Sequence, residues 1–214
     1  MVLTGDVRIV DWVDVVETGG YKQTAAFKRA AADIRAGVSA VVWPPGTDRF
    51  VIHPESGKGR GKGNGVVPIK RGFMDEVVSR GWKPEVGPRR VKGKGRVPGA
   101  FDAHLTFEDG SLPFVVEWET GNISSSHRAI NRIALGVLEG RIGGGVVVLP
   151  SARLAPFLTD RIGNFPELVP YIPLWEQWQQ LQAVSYLGLV VVEQDGESVD
   201  VPRIPKGKDG RAVL

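Results

Sequence analysis

An α/β fold, a mixed β-sheet flanked by helices, follows from the order of elements written into these 214 residues. Three observations predict it. Phe101 to Glu119 alternates apolar and polar residues with period two around Asp109-Gly110, the pattern of a β-hairpin. Ile130, Ile133, Ala134, Val137 and Leu138 recur at the spacing of an amphipathic helix. Val146 to Leu149 and Tyr186 to Val192 are apolar runs of the kind found in the buried centre of a sheet. The length suits one domain over residues 1–214 with a single sizeable core.

Taken in order, residues 1–19 read as a short strand or an irregular lead-in. Ala26, Phe27, Ala30, Ala31 and Ile34 give Tyr21 to Ala36 a helical spacing, and Gly37 is the expected stop. Val38 to Trp43, closed by Pro44-Pro45, reads as a strand, and Phe50-Val51-Ile52 as another. Gly57 to Gly65 (GKGRGKGNG) is a basic loop, flexible by composition, and is either a solvated loop or an arm on nucleic-acid phosphates. It lacks the GK[ST] ending of a phosphate-cradling loop, which excludes nucleotide hydrolysis there. Val66 to Arg80 contains a helix with Pro68 near its start. A second cationic stretch, Arg89 to Arg96 (RRVKGKGR), leads into the hairpin. Beyond the hairpin, Asn122 or Ser124 caps a helix that Gly140 stops, with His127, Arg128, Asn131 and Arg132 on its polar face. Ser151 to Asp160 reads as a helix interrupted by Pro156, and Phe165 to Gln182 as aromatic and partly helical. Tyr186 to Val192 is the final strand, and 203–214 an irregular tail.

The composition is that of a globular protein: 42% hydrophobic, 24% charged, with a mean hydropathy of -0.07. A net charge of +3 and a sequence pI of about 9.3 permit an anionic partner. The absence of cysteine excludes disulfides and thiolate metal sites and suits a reducing compartment. No apolar run approaches the ~18 residues of a membrane span, and the opening MVLTGDVRIVDW lacks the pattern of a signal peptide.

Chemistry concentrates on the hairpin. A turn at Asp109-Gly110 sets Glu108 against Ser111, which places Asp102 opposite Glu117; Glu119 shares the face of Glu117 because residues two apart on a strand point the same way. Carboxylates directly opposed destabilise a sheet, so a cation should offset them, and a divalent metal is the economical candidate. Together with the two cationic stretches, the cluster fits a site that holds and cleaves a phosphodiester.

Asp102…Glu117-Trp118-Glu119 resembles the acidic motif of PD-(D/E)XK nucleases, with Glu119 where most carry lysine. Four further blocks, NGVVPIK, WETGNISSSHRAINRIALG, FLTDRIGNF-ELVPY and VPRIPKGKDG, are similar in order and spacing to the BamHI-type restriction endonucleases. The resemblance covers roughly Ser39 to the C-terminus; residues 1–38 carry no clear match.

The resemblance implies a PD-(D/E)XK core and a Mg²⁺-dependent type II restriction endonuclease, with Mn²⁺ as a substitute. Asp102 and Glu117 would bind the metal, Glu119 would be the general base or a water-positioning group, and Glu85 is the best match to a further upstream acid of the site. Asn122, Ser124, Asp160 and Arg161 would read base edges in the major groove, with Arg128 and Lys70 assisting, while Gly207 and Asp209 would lie in the minor groove. The chemistry agrees: arginine pairs with guanine O6/N7, and aspartate accepts from cytosine N4. Four of these residues have a plainer alternative: Asp160-Arg161 as a surface ion pair, Asn122 and Ser124 as helix caps. The substrate implied is double-stranded DNA at the palindrome GGATCC, cut after the first G, by a homodimer in the prokaryotic cytoplasm. A cognate methyltransferase is implied as a genetic partner. The sequence departs from the family at Leu138, Glu139 and Pro173, which occupy positions of charged groups that help bridge the family's dimer.

Overall fold

The computed structural model describes residues 8–59, 61–85, 99–159, 162–180 and 185–206. Six strands form one mixed sheet. β1 (Ile9–Thr18), at one edge, runs antiparallel to β7 (Ser185–Val192), which is parallel to β6 (Gly144–Pro150). β6 is parallel to β5 (Phe114–Trp118), and β4 (Ala103–Leu105) and β3 (Lys83–Pro84) continue antiparallel to the far edge. A separate parallel pair joins β2 (Val51–Ile52) to β8 (Gly196–Glu197).

The period-two alternation of the central strands divides the core between the two faces of the sheet. Phe114, Val116, Trp118, Val146, Val148, Tyr186 and Val190 enter one cluster with α1 (Ala25–Ser39) and α2 (Val67–Ser79). Val115, Val147, Leu149, Leu187 and Leu189 enter the other, with Ala129, Ile130 and Ile133 of α3 (Ile123–Leu138). Leu168 of α4 (Phe165–Leu168) and Trp175 of α5 (Ile172–Glu176) complete that second layer. The predicted mixed sheet flanked by helices is present.

Several boundaries differ from the sequence reading, each for a physical reason. The lead-in is a ten-residue edge strand. The first helix runs through Gly37 to Ser39, because Gly37 is a packing position: a Cβ there would lie 2.8 Å from the Phe73 ring and 2.9 Å from Val77 of α2. The strand expected from Val38 is therefore absent; Val38 lies in the last turn of α1, and Trp43 makes only an isolated bridge to Phe50. The helix expected over Ser151 to Asp160 is, as far as Thr159, a turn and one 3₁₀ turn (Ala155–Phe157). Ser151 Oγ accepts from Arg153 N and Leu154 N and Ala155 N reaches Ser151 O, a capped first helical turn, but Pro156 has no N–H to continue the ladder and the next bonds are of the 3₁₀ type. Tyr186 to Val192 is followed by one more short strand, β8.

The basic loop is tied at both ends. Gly57 N donates to Pro156 O and Gly65 N to Ile204 O, while Asn64, fully buried, bridges His53 O, Phe157 O and Ile204 N. The tip residues Lys58 and Lys62 remain exposed. The second cationic stretch, Arg89 to Arg96, lies outside the described residues.

Candidate active site

The hairpin register is the predicted one. Ala103 pairs with Val116, His104 with Val115 and Leu105 with Phe114, which sets Asp102 across from Glu117. The tight two-residue turn is not formed: residues 106–113 make a longer connection in which Gly110 takes φ +78 and Ser111 N donates to Asp109 Oδ1. The parity survives because the excess is shared equally by the two arms.

Backbone amides lock the first two acids together. Asp102 N donates to Glu117 Oε2 (3.3 Å), and Trp118 N donates to Asp102 Oδ2 (2.8 Å). Glu117 sits on a strand whose five residues are all buried, and is itself only 2% exposed. Burial pushes its carboxyl up to about 8, against the opposing pull of Arg132, with Asp102 and Glu119 adding repulsion. Glu119 is also raised, by burial and then by Asp102, with Lys70, Arg132 and Arg128 pulling the other way. A carboxylate raised in this way is a better proton acceptor than one in water.

Two cations reach this cluster from different helices. Lys70 Nζ of α2 lies 2.6 Å from Asp102 Oδ1, and Arg132 Nη2 of α3 lies 2.7 Å from Glu117 Oε1. The second contact is an ion pair without hydrogen-bonding geometry, since Glu117 Oε1 and Arg132 Nε both lack a hydrogen-bond partner in the buried interior. Arg132 was read only as part of a polar helix face; its contact with a strand acid has no periodic signature in sequence. Lys70, to which the resemblance gives a role assisting the base-reading residues, is found at an acid of the cluster.

Beside Glu119 opens a cleft of about 580 Å³ lined by Gly99, Ser125, Arg128, Asn131 and Arg132. Asn122 caps α3, its side chain accepting from Ser125 N, and Arg128 donates to Ser125 Oγ. Asn122, Ser124 and Arg128 are exposed at this end of the helix. The helix N-terminus, with its partial positive charge, therefore faces the same side as the acids. His127 packs instead against Tyr171 and Trp175. Glu85 is next to the cluster through its backbone: its N donates to Asp102 O, with φ +50, a left-handed conformation rare outside glycine, and its side chain is exposed. Asp160, Arg161, Gly207 and Asp209 lie outside the described residues; near the first pair, Gly163 N donates to Gly121 O at the start of α3.

Among the described residues no three His, Cys, Asp or Glu side chains are arranged as a ready metal cage. Asp102 and Glu117 nevertheless fit a hard divalent cation. Mg²⁺ is ordinarily held by one or two carboxylates plus water and substrate phosphate, and Glu117 Oε1 is a buried oxygen short of a donor.

Comparison with known proteins puts the chain in the restriction-endonuclease class. Among solved structures, restriction endonuclease BglII complexed with a DNA 16-mer matches with a TM-score of 0.59 at 12% identity, over 86% of this chain and 78% of that one. Free BglII matches with a TM-score of 0.51. At that identity the likeness is one of fold. Sequence goes further. The family model described as restriction endonuclease BamHI matches residues 7–211, so the relationship reaches into the segment read above as unmatched. The type II restriction enzyme OkrAI of Oceanobacter kriegii is 46% identical over 181 residues, 85% of this chain and 88% of its own. The type II restriction enzyme BamHI of Bacillus amyloliquefaciens is 32% identical over 188 residues, 86% and 82% of the two chains. The chain belongs to the BamHI family of restriction endonucleases, and its enzymatic class is that of a type II site-specific deoxyribonuclease. No helix among the described residues is long and apolar enough to cross a membrane.

Proposed function

We propose that this protein is a Mg²⁺-dependent type II restriction endonuclease that cuts double-stranded DNA at GGATCC after the first G, leaving a four-base 5′ overhang. The observation that carries the reading is the convergence of Asp102, Glu117 and Glu119 beside an arginine-lined cleft at the N-terminal end of α3. In this reading Asp102 and Glu117 hold the metal, with Mn²⁺ able to replace Mg²⁺. When bound, the metal activates water and neutralises charge on the phosphate and the leaving oxygen. Glu119 accepts the proton of the attacking water or positions it, and Glu85 supports the site from beside Asp102. Arg128 and Lys70 assist from nearby. Asn122, Ser124, Asp160 and Arg161 read the major groove, and Gly207 and Asp209 the minor groove.

The same reading takes residues 1–214 as one nuclease domain acting as a homodimer in the prokaryotic cytoplasm, alongside a methyltransferase that protects host DNA. A palindrome suits a two-fold protein. Leu138 and Leu174 are 55% and 64% exposed, and Tyr171 48%, so an apolar contact is available where the family uses charge. Sedimentation at micromolar concentration should read a dimer; a monomer at all concentrations contradicts that part of the proposal. The activity is tested by incubating plasmid DNA with Mg²⁺ and sequencing the ends. Ends at G^GATCC support it. Cuts at another sequence reject the specificity in favour of a related nuclease, and intact DNA rejects the activity in favour of a DNA-binding homologue.

A further inference from the structure

Each of the two acids assigned to the metal already has a cation in contact. Lys70 on Asp102 comes from α2, and Arg132 on Glu117 comes from α3, on different elements and different faces of the core. Arg132 is held in place by other groups as well. Its Nη1 donates to Ala100 O (2.9 Å), its guanidinium lies over the Phe101 ring at 5.8 Å, and Gly99 leaves it room, since a Cβ there would approach Nη1 to 3.0 Å. Even so, the contact with Glu117 is poorly made, with Arg132 Nε and Glu117 Oε1 both lacking hydrogen-bond partners. Lys70 reaches Asp102 on a flexible stem, with its side chain 36% exposed. Lys70 can leave its acid by rotation of that stem, and Arg132, though anchored at Ala100, makes no hydrogen bond to Glu117.

The charges are suggestive. Two monovalent side chains supply the +2 that one divalent ion would bring to the same pair of oxygens. They cannot stay in contact with those oxygens once an ion is seated between them. We propose that Lys70 and Arg132 are placeholders: they cap Asp102 and Glu117 in the DNA-free protein and release them to a divalent ion as DNA takes up the two freed cations. This rests on the endonuclease reading above and adds a coupling to it. In this proposal DNA competes with Asp102 for Lys70, whose side chain is 36% exposed. DNA that draws Lys70 away therefore completes the metal site, and DNA that fails to do so leaves it capped. Because coupling between two ligands is reciprocal, metal should tighten DNA binding by the factor with which DNA tightens metal binding. Arg132, released into the cleft it shares with Arg128, is placed to meet a phosphate next to Glu119.

The test is calorimetric titration of Ca²⁺ into wild type, Lys70→Gln and Lys70→Arg, each alone and with a duplex carrying GGATCC. Circular dichroism confirms that each variant is folded. Without DNA, Lys70→Gln should bind Ca²⁺ more tightly than wild type by at least about fivefold, the low end of ordinary site-to-site coupling. The gain in Ca²⁺ affinity on adding duplex should shrink by the same factor. Lys70→Arg, which keeps the charge, should behave as wild type. Arg132→Lys provides a second route: a cation that loses the Ala100 anchor should also raise the DNA-free Ca²⁺ affinity. If Lys70→Gln only weakens DNA binding and leaves the DNA-free Ca²⁺ affinity unchanged, or lowers it, Lys70 is a groove residue alone and the placeholder idea is overturned. Failure of the underlying endonuclease reading would appear separately, as wild type that binds Ca²⁺ but cuts no DNA with Mg²⁺.

Discussion

On one face of β5, Phe114, Val116 and Trp118 pack into an aromatic cluster, with Trp118 4.7 Å from the Phe73 ring and Phe114 stacked on Tyr186 at 6.2 Å. On the other face, Val115 and Glu117 point toward α3, and Glu117 is as buried as its aromatic neighbours. The first face is held mainly by removal of apolar surface from water, with Trp118 Nε1 buried there without a hydrogen-bond partner. The second confines a carboxylate, which costs several kcal/mol unless charge and hydrogen bonds compensate. Here the compensation is incomplete, because Glu117 Oε1 meets Arg132 off a hydrogen-bonding angle. A strand that keeps a poorly compensated acid in its middle has given up stability at that position, and the functional reading supplies the reason.

Substitutions on the two faces should separate cleanly. Glu117→Gln should reduce cleavage by about 10³-fold or more, the loss of several kcal/mol of metal-borne charge stabilisation, while lowering the melting temperature little or raising it. Phe114→Ala should do the reverse, costing about 3–5 kcal/mol in chemical denaturation while the folded fraction still cuts. A large stability loss in Glu117→Gln would erase the distinction. Arg161→Ala probes recognition and should cost roughly 1–3 kcal/mol of discrimination between cognate and single-mismatch duplexes, measured by competition binding. The smallest effect separates capping from base reading at α3. Asn122→Ala should lose both discrimination and about 1 kcal/mol of stability, because its side chain accepts from Ser125 N. Ser124→Ala, one helical position beyond the first residue of α3, should lose discrimination alone.

What the sequence made legible was periodic or local. Alternation along Phe101–Glu119 set the parity that brings Asp102 opposite Glu117, and that parity holds although the strands are shorter and the connection longer than expected. A cap at Asn122 or Ser124 and a stop at Gly140 are readable from residue type; the structure selects Asn122, and Gly140 takes φ +63 as a stop requires. Gly37 was misread because the rule that glycine ends helices competes with its use where two helices touch, and only the facing Phe73 decides between them. Ser151 caps a first helical turn, and Pro156, which has no N–H, ends the ladder one turn later. The cations at the acids were invisible for a different reason. Lys70 to Asp102 and Arg132 to Glu117 join residues 32 and 15 apart on separate elements, pairings that no spacing rule encodes.

The central claim, that the acid end of the β4–β5 hairpin cuts DNA, is tested most directly by comparing wild type with Glu119→Ala on one GGATCC duplex. Cleavage is followed under single-turnover conditions with Mg²⁺, and binding by fluorescence anisotropy with Ca²⁺. The account predicts anisotropy curves that nearly superimpose and a cleavage rate lower by roughly 10²–10⁴-fold, the range expected for loss of a proton acceptor. A Glu119→Ala protein that cuts at the wild-type rate would contradict it.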